Sequence, residues 1–138
     1  MHFQPDDIPS LTPDYGSGGM RSIRAGATNM EIGYSWCRTP VDTGPFYKGL
    51  PDDTCPCDHY GYVKSGSFRV IYTDGSQELI EDGSVYFIPK GHHFIYDEAC
   101  ELIEFNPHDQ LQQLMQHFNV ELAKVAEEGD VDSYKPKR

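Results

Sequence analysis

The sequence predicts an all-β sandwich or barrel that carries one C-terminal amphipathic helix. Three observations point there. Short stretches alternate apolar and polar side chains with a period of two, turn signals separate them about every 8–12 residues, and a helical repeat of apolar positions follows only after residue 106. The 138 residues read as one domain, with an irregular arm over 1–19, a β-barrel over 20–106, a helix over 107–129 and a tail over 130–138.

The elements follow in order. Residues 1–19 hold three prolines and a Gly-Ser-Gly-Gly run from Gly16 to Gly19, the composition of an irregular arm. "MEIGYSWCR" sets Met30, Ile32, Tyr34 and Trp36 against Glu31, Gly33, Ser35 and Cys37, which marks a half-buried strand. "TPVDTGPFYKGLPDD" is rich in Pro and Gly and reads as a long loop. Phe46, Tyr47 and Leu50 suit a freely solvated loop poorly, so the loop over 39–54, together with the arm over 1–19, is expected to contribute to the pocket mouth or a dimer contact. "YGYVKSG" runs into "SFRVIYTDG", where Phe68, Val70 and Tyr72 share a face, and Asp74-Gly75 signals a hairpin. "SQELIEDG" turns at Asp82-Gly83, "SVYFIPKG" ends on Pro89, and "CELIEFNP" alternates again. Asn106 and Pro107 suit an N-cap and first helical position, Leu111, Leu114, Met115, Phe118, Leu122 and Val125 recur on one face, and Gly129 is a natural stop. Such a stripe is expected to pack on the sheets.

Composition bounds the partners. With 38% hydrophobic and 12% aromatic residues the chain suits a globular fold. Its formal net charge of −11 argues against nucleic acid or an anionic membrane surface as a partner. No secretory signal is visible at the start, and no stretch approaches the roughly 20 apolar residues of a spanning helix. A cytoplasmic protein is the expectation, with Cys37, Cys55, Cys57 and Cys100 as thiols rather than a disulfide framework.

The chemistry concentrates in "CPCDHYGYVKSG", residues 55–66, where two cysteines, an aspartate and a histidine precede a strand. "GSVYFIPKGHH", with Gly83, Pro89 and Gly91, resembles the second conserved motif of the cupin superfamily, and "DHYGYVKSG" resembles the end of the first. The two motifs and the strands between them cover roughly residues 50–106. More narrowly, "YKGLPDDTCPCDHYGYVKSG", "PKGH" and "EFNP" are similar to a group of small single-domain bacterial cupins. The resemblance implies a jelly roll around a small pocket, often with a divalent metal held by two histidines one residue apart, a glutamate and a later histidine. It names no reaction. The glutamate position falls on His59, the His-x-His pair falls near Cys55-Pro-Cys57 or Asp52-Asp53, and the last histidine position falls on Phe94, with His92 and His93 just before it. The usual ligand set is therefore altered, and standard cupin chemistry does not transfer directly. Small cupins of this kind also imply a homodimer.

Alternation places His59 on an inward face with Gly61 and Val63, where a neutral imidazole suits zinc, iron, nickel or copper, or a substrate. A pocket histidine satisfied by hydrogen bonds is the alternative. His92 sits in a turn at the barrel mouth, and its case as a ligand depends on proximity to His59; His93 is assigned to the rim. Cys55 and Cys57 admit three readings: metal ligands beside the histidines, a redox pair, or buried apolar thiols. Glu104 shares a face with Cys100 and Leu102, either turned inward as an acid–base group or outward and solvated. The expected function is a cupin that binds a divalent metal and acts on or holds a small organic molecule. A metal-free binding module and a structural dimerisation domain are the alternatives.

Overall fold

The computed structural model describes residues 1–12 and 18–128, with side chains as far as Lys124. Nine strands and one helix follow the order β1 (Gly18–Arg24), β2 (Met30–Cys37), β3 (Val41–Asp42), β4 (His59–Ser65), β5 (Ser67–Tyr72), β6 (Gln77–Glu81), β7 (Val85–Ile88), β8 (His92–Tyr96), β9 (Cys100–Pro107) and α1 (His108–Glu128). They form two antiparallel sheets, β1-β2-β9-β4-β7 and β3-β8-β5-β6, which face each other as a jelly-roll barrel. The interior is filled by Val63, Phe68, Val70, Tyr86, Ile88, Phe94 and Leu102 from both sheets.

Period-two alternation explains most of this burial, because successive side chains leave opposite faces of a strand. In β4, His59, Gly61 and Val63 face in and Tyr60 and Tyr62 face out; in β9, Cys100, Leu102, Glu104 and Asn106 face in. The predicted face of β5 is also internal, with Phe68 and Val70 buried. β2 behaves differently. Its buried positions are Glu31, Gly33 and Cys37, while Ile32, Tyr34 and Trp36 are only half-buried. The outer side of this sheet is partly covered by the chain's own N-terminal residues: Phe3, Pro5 and Ile8 line a groove with Ile32, Tyr34 and Ile103.

Several boundaries differ from expectation. β1 begins at Gly18, inside the expected arm, since backbone pairing to β2 carries a strand that shows no apolar alternation. The arm also contains a short 3₁₀ turn, Pro5–Asp7. The long loop is broken by β3 and by 3₁₀ turns at Gly44–Tyr47 and Pro51–Asp53. Phe46 and Tyr47 are buried, so that segment is covered rather than free. The helix starts at His108 rather than Pro107, and Asn106 is not its cap: that side chain points inward from β9. Asn29 takes the capping task instead, accepting the His108 N–H through its backbone carbonyl and the Asp109 N–H through Oδ1. Leu111, Leu114, Met115 and Leu122 are buried, and the first three close one end of the barrel over Tyr47, Cys55 and Cys57. Gly16, the Val125 side chain, Gly129 and the tail over 130–138 lie outside the described residues.

Candidate functional site

The segment before β4 is fixed by backbone bonds before any side chain contributes. The Cys55 N–H donates to His92 O and the Gly91 N–H donates to Cys55 O, both at 2.8 Å, so Cys55 lies directly against the start of β8. Gly91 holds φ of +96°, a conformation that a residue with a Cβ adopts only under strain. The Asp58 carboxylate secures the same junction by accepting the Lys90 N–H at 2.8 Å. Asp58 is therefore a strap between segments.

This clamp brings Cys55, His59 and His92 together, all buried, with one donor atom from each within 4.8 Å of the others. Cys55 Sγ lies 3.4 Å from His59 Nε2, and the two imidazoles meet edge to face at 5.1 Å. His92 is the first residue of β8 and fully buried rather than exposed in a turn, because the Cys55 bridge extends the sheet to it. Phe94, at the position of the usual last histidine, stacks on the His92 ring. His93 points the other way, half-buried and 3.8 Å from Asp42.

Each histidine is held from behind. His92 Nδ1 lies 2.7 Å from Pro89 O. A carbonyl only accepts, so Nδ1 carries the hydrogen and the lone pair resides on Nε2. That Nε2 is buried without a hydrogen-bond partner. His59 Nδ1 donates to Asn106 Oδ1 at 2.7 Å, with Glu104 Oε1 at 3.7 Å, which directs Nε2 to Cys55. Burial alone would lower the His59 pKa, but the Glu104 carboxylate and Cys55 outweigh it and raise the group to about 10. Burial, aided by the charge on His59, pushes His92 down to about 3.

Cys57 stands apart from this group. Its thiol donates to Asp58 O at 3.2 Å, it packs beneath α1 with Leu111, Leu114 and Met115, and burial pushes its pKa up. Glu104 is turned inward and buried, on the ring edge of His59 opposite Cys55. The Tyr86 hydroxyl donates to Glu104 Oε2 at 2.7 Å. A cavity of about 60 Å³ adjoins His59 and Glu104 and is lined also by Thr43, Tyr47, Phe94 and Tyr96, so the 39–54 segment does reach it. It has room for a few waters or a ligand of few atoms. Neither Cys55 nor His92 lines it.

Sequence reasoning did not find Asn106. The signal was its place two residues after Glu104, which puts it on the same face of β9. Tyr86 carries no sequence signal beyond that of a strand aromatic. Its hydroxyl reaches Glu104 only because position 61 of the paired strand is Gly: a Cβ there would lie 2.5 Å from that hydroxyl.

No family model matches the chain, and no curated protein matches it by sequence. Solved structures do match in fold. Ectoine synthase from P. lautus superposes with a TM-score of 0.57 at 12% identity, covering 78% of this chain and 77% of the other. An RmlC-like cupin from Shewanella frigidimarina gives 0.53 at 16% identity, covering 78% and 91%. FeII HppE gives 0.54 at 13% identity, covering 77% and 59%. At these identities the likeness shows the fold.

Proposed function

We propose that this chain, a cupin by fold, holds a divalent metal ion on Cys55, His59 and His92 and binds a small organic molecule in the adjoining cavity. The observation that carries the reading is the His92 Nε2 lone pair, buried and unpartnered in a group whose other donors are an imidazole and a thiol. Leaving such an atom unsatisfied is costly, and a cation relieves it. One sulfur and two nitrogens suit a borderline ion such as zinc, and also iron, nickel or copper. The Nδ1 bonds to Pro89 and Asn106 are the supports that ligand histidines commonly have. The presence of ferrous iron in HppE is in keeping with the same reading.

When bound, the ion would supply positive charge and Lewis acidity next to His59, the one of its three ligands that lines the cavity. Three protein ligands leave room in a tetrahedral set for one more donor. A molecule in the cavity meets His59 and Glu104, so the protein's own chemistry there is carried by Glu104. Tyr86 and the surrounding strands fix that carboxylate, which accepts a hydrogen bond or a proton from a hydroxyl or amino group. We place the protein in the cytoplasm, a compartment in keeping with four free thiols.

A metal-free binding module is the second reading, favoured by the Cys55–His59 and Tyr86–Glu104 contacts, which satisfy most of the site without an ion. Elemental analysis of protein purified without a polyhistidine tag separates the two. One ion per chain is expected in the parent, with loss in His59→Ala and Cys55→Ser and retention in Cys57→Ser. A parent that carries no ion and takes none up would leave the binding module ahead.

A further inference from the structure

We infer that the ligand of the inner cavity is a small primary ammonium compound, held by the free carboxylate oxygen of Glu104 among aromatic rings. The inference rests on the proposed reading of this cavity as a ligand site, and it does not depend on the ion.

Glu104 is 3% exposed and faces the cavity. The protein treats its two oxygens differently. Oε2 accepts the Tyr86 hydroxyl at 2.7 Å. Oε1 accepts no hydrogen bond among the described residues, because His59 Nδ1, 3.7 Å away, gives its hydrogen to Asn106 Oδ1 at 2.7 Å. A carboxylate is acceptor-only, and a buried acceptor left without a donor is costly. The donor that Oε1 lacks therefore has to enter by way of the cavity.

The rest of the wall selects among donors. Trp36, Tyr47, Phe94, Tyr96 and Phe118 bring five aromatic rings to it, and no lysine or arginine lines it. Ring faces carry negative charge density and attract a cation. An anion would meet both these faces and the Glu104 charge. A neutral hydroxyl satisfies Oε1 but leaves the buried charge without a hydrogen-bonded cation, whereas an ammonium group supplies both. Size narrows the class further. Scaled from cavities of about 150 Å³ that hold a six-carbon ring, about 60 Å³ takes about two or three heavy atoms. A quaternary head is too large for that space, and a primary ammonium on a short carbon stem fits. The net charge of −11 also draws such cations to the protein in preference to anions.

Ligand-observed NMR titrations of the full chain, at neutral pH in amine-free buffer, test this with ethylammonium, ethanol and formate, which are matched in heavy-atom count. So few atoms hold affinity to the millimolar range at best. Ethylammonium is expected to bind at least tenfold more tightly than ethanol, with formate weakest. Glu104→Gln keeps an acceptor for Tyr86 and is expected to abolish the preference for ethylammonium over ethanol. Glu101→Gln, on the opposite face of β9, is expected to leave it unchanged. Tyr96→Leu removes one ring and is expected to reduce the preference about threefold, which keeps the test valid if Glu104→Gln does not fold. Ethanol or formate binding as tightly as ethylammonium, or a preference that survives Glu104→Gln, would overturn the inference while the cavity remains a ligand site. No binding by any of the three would overturn it together with the reading of the cavity as a site for molecules of this size. The metal content enters none of these comparisons, so the ion and the ammonium ligand fail separately.

Discussion

Gly61 and Tyr86 show how a single residue sets the site. A Cβ on Gly61 would lie 2.5 Å from the Tyr86 Cζ and hydroxyl and 2.6 Å from the Ile103 carbonyl. The ring end cannot tilt clear without leaving Glu104, and the carbonyl belongs to the neighbouring strand. Gly61→Ala is therefore expected to cost about 1–3 kcal/mol by overpacking. Tyr86→Phe keeps the ring and removes only the hydroxyl, leaving Glu104 Oε2 without its donor, at a cost of about 1–3 kcal/mol. Denaturant midpoints check both. Adding the Tyr86→Phe change to Gly61→Ala should recover part of the first loss, since the crowded hydroxyl is then gone. Strictly additive losses would show that the two positions do not act through that contact.

The element that depends most on a buried charge is α1. Glu31, buried in β2, accepts hydrogen bonds from Ser22 Oγ at 2.8 Å, His108 Nδ1 at 2.8 Å and Gln112 Nε2 at 3.0 Å. One carboxylate thus ties the helix's first turns to two strands. Glu31→Ala leaves three donors without their acceptor and is expected to destabilise the fold by about 2–4 kcal/mol. Glu31→Gln keeps one carbonyl acceptor and should lose less. Hydrogen exchange over His108–Gln112 should accelerate in Glu31→Ala before it does in β4 or β9. Unchanged exchange there would mean that the apolar stripe alone holds the helix.

For the whole molecule, metal binding and pH are coupled. In the metal-free protein His59 titrates at about 10, so at neutral pH an incoming ion displaces at least its proton. His92, pushed down to about 3, is neutral throughout and adds no such competition. The sign follows. Because the folded pKa of His59 is raised, the metal-free fold gains from its protonation fully below the unfolded value near 6.5 and loses that gain as pH rises through about 10. Metal stabilisation runs the other way, with apparent affinity falling at least tenfold for each unit of acidification between pH 8 and 6. At a free-ion concentration about 1,000 times Kd the ion adds about 4 kcal/mol. The difference in melting temperature with and without a chelator should therefore shrink from pH 8 to pH 6. A difference that grows on acidification would count against imidazole ligands.

How much of this was legible beforehand differs by level. Turn glycines and period-two alternation were enough to specify an all-β sandwich or barrel with a terminal helix, because these are local constraints on backbone and side-chain direction, and the jelly roll followed from the resemblance of the Gly83, Pro89, Gly91 motif to cupins. They also placed His59 inward with Gly61 and Val63. Alternation divides a strand into two faces without saying which one the core takes. For β2 the structure buried Glu31 and Cys37 and turned Ile32 and Tyr34 out beneath the N-terminal residues. For β9 it turned Glu104 inward, one of two faces that the sequence allowed equally. Cys55 and Cys57 were equivalent by spacing, since the segment before β4 has no regular period to separate them. Their difference arises from contacts distant in sequence: two backbone bonds set Cys55 against His92, while Cys57 is left beneath the helix. Local geometry is written in neighbouring residues; the choice of partner is made only when strands from opposite ends of the chain pack together.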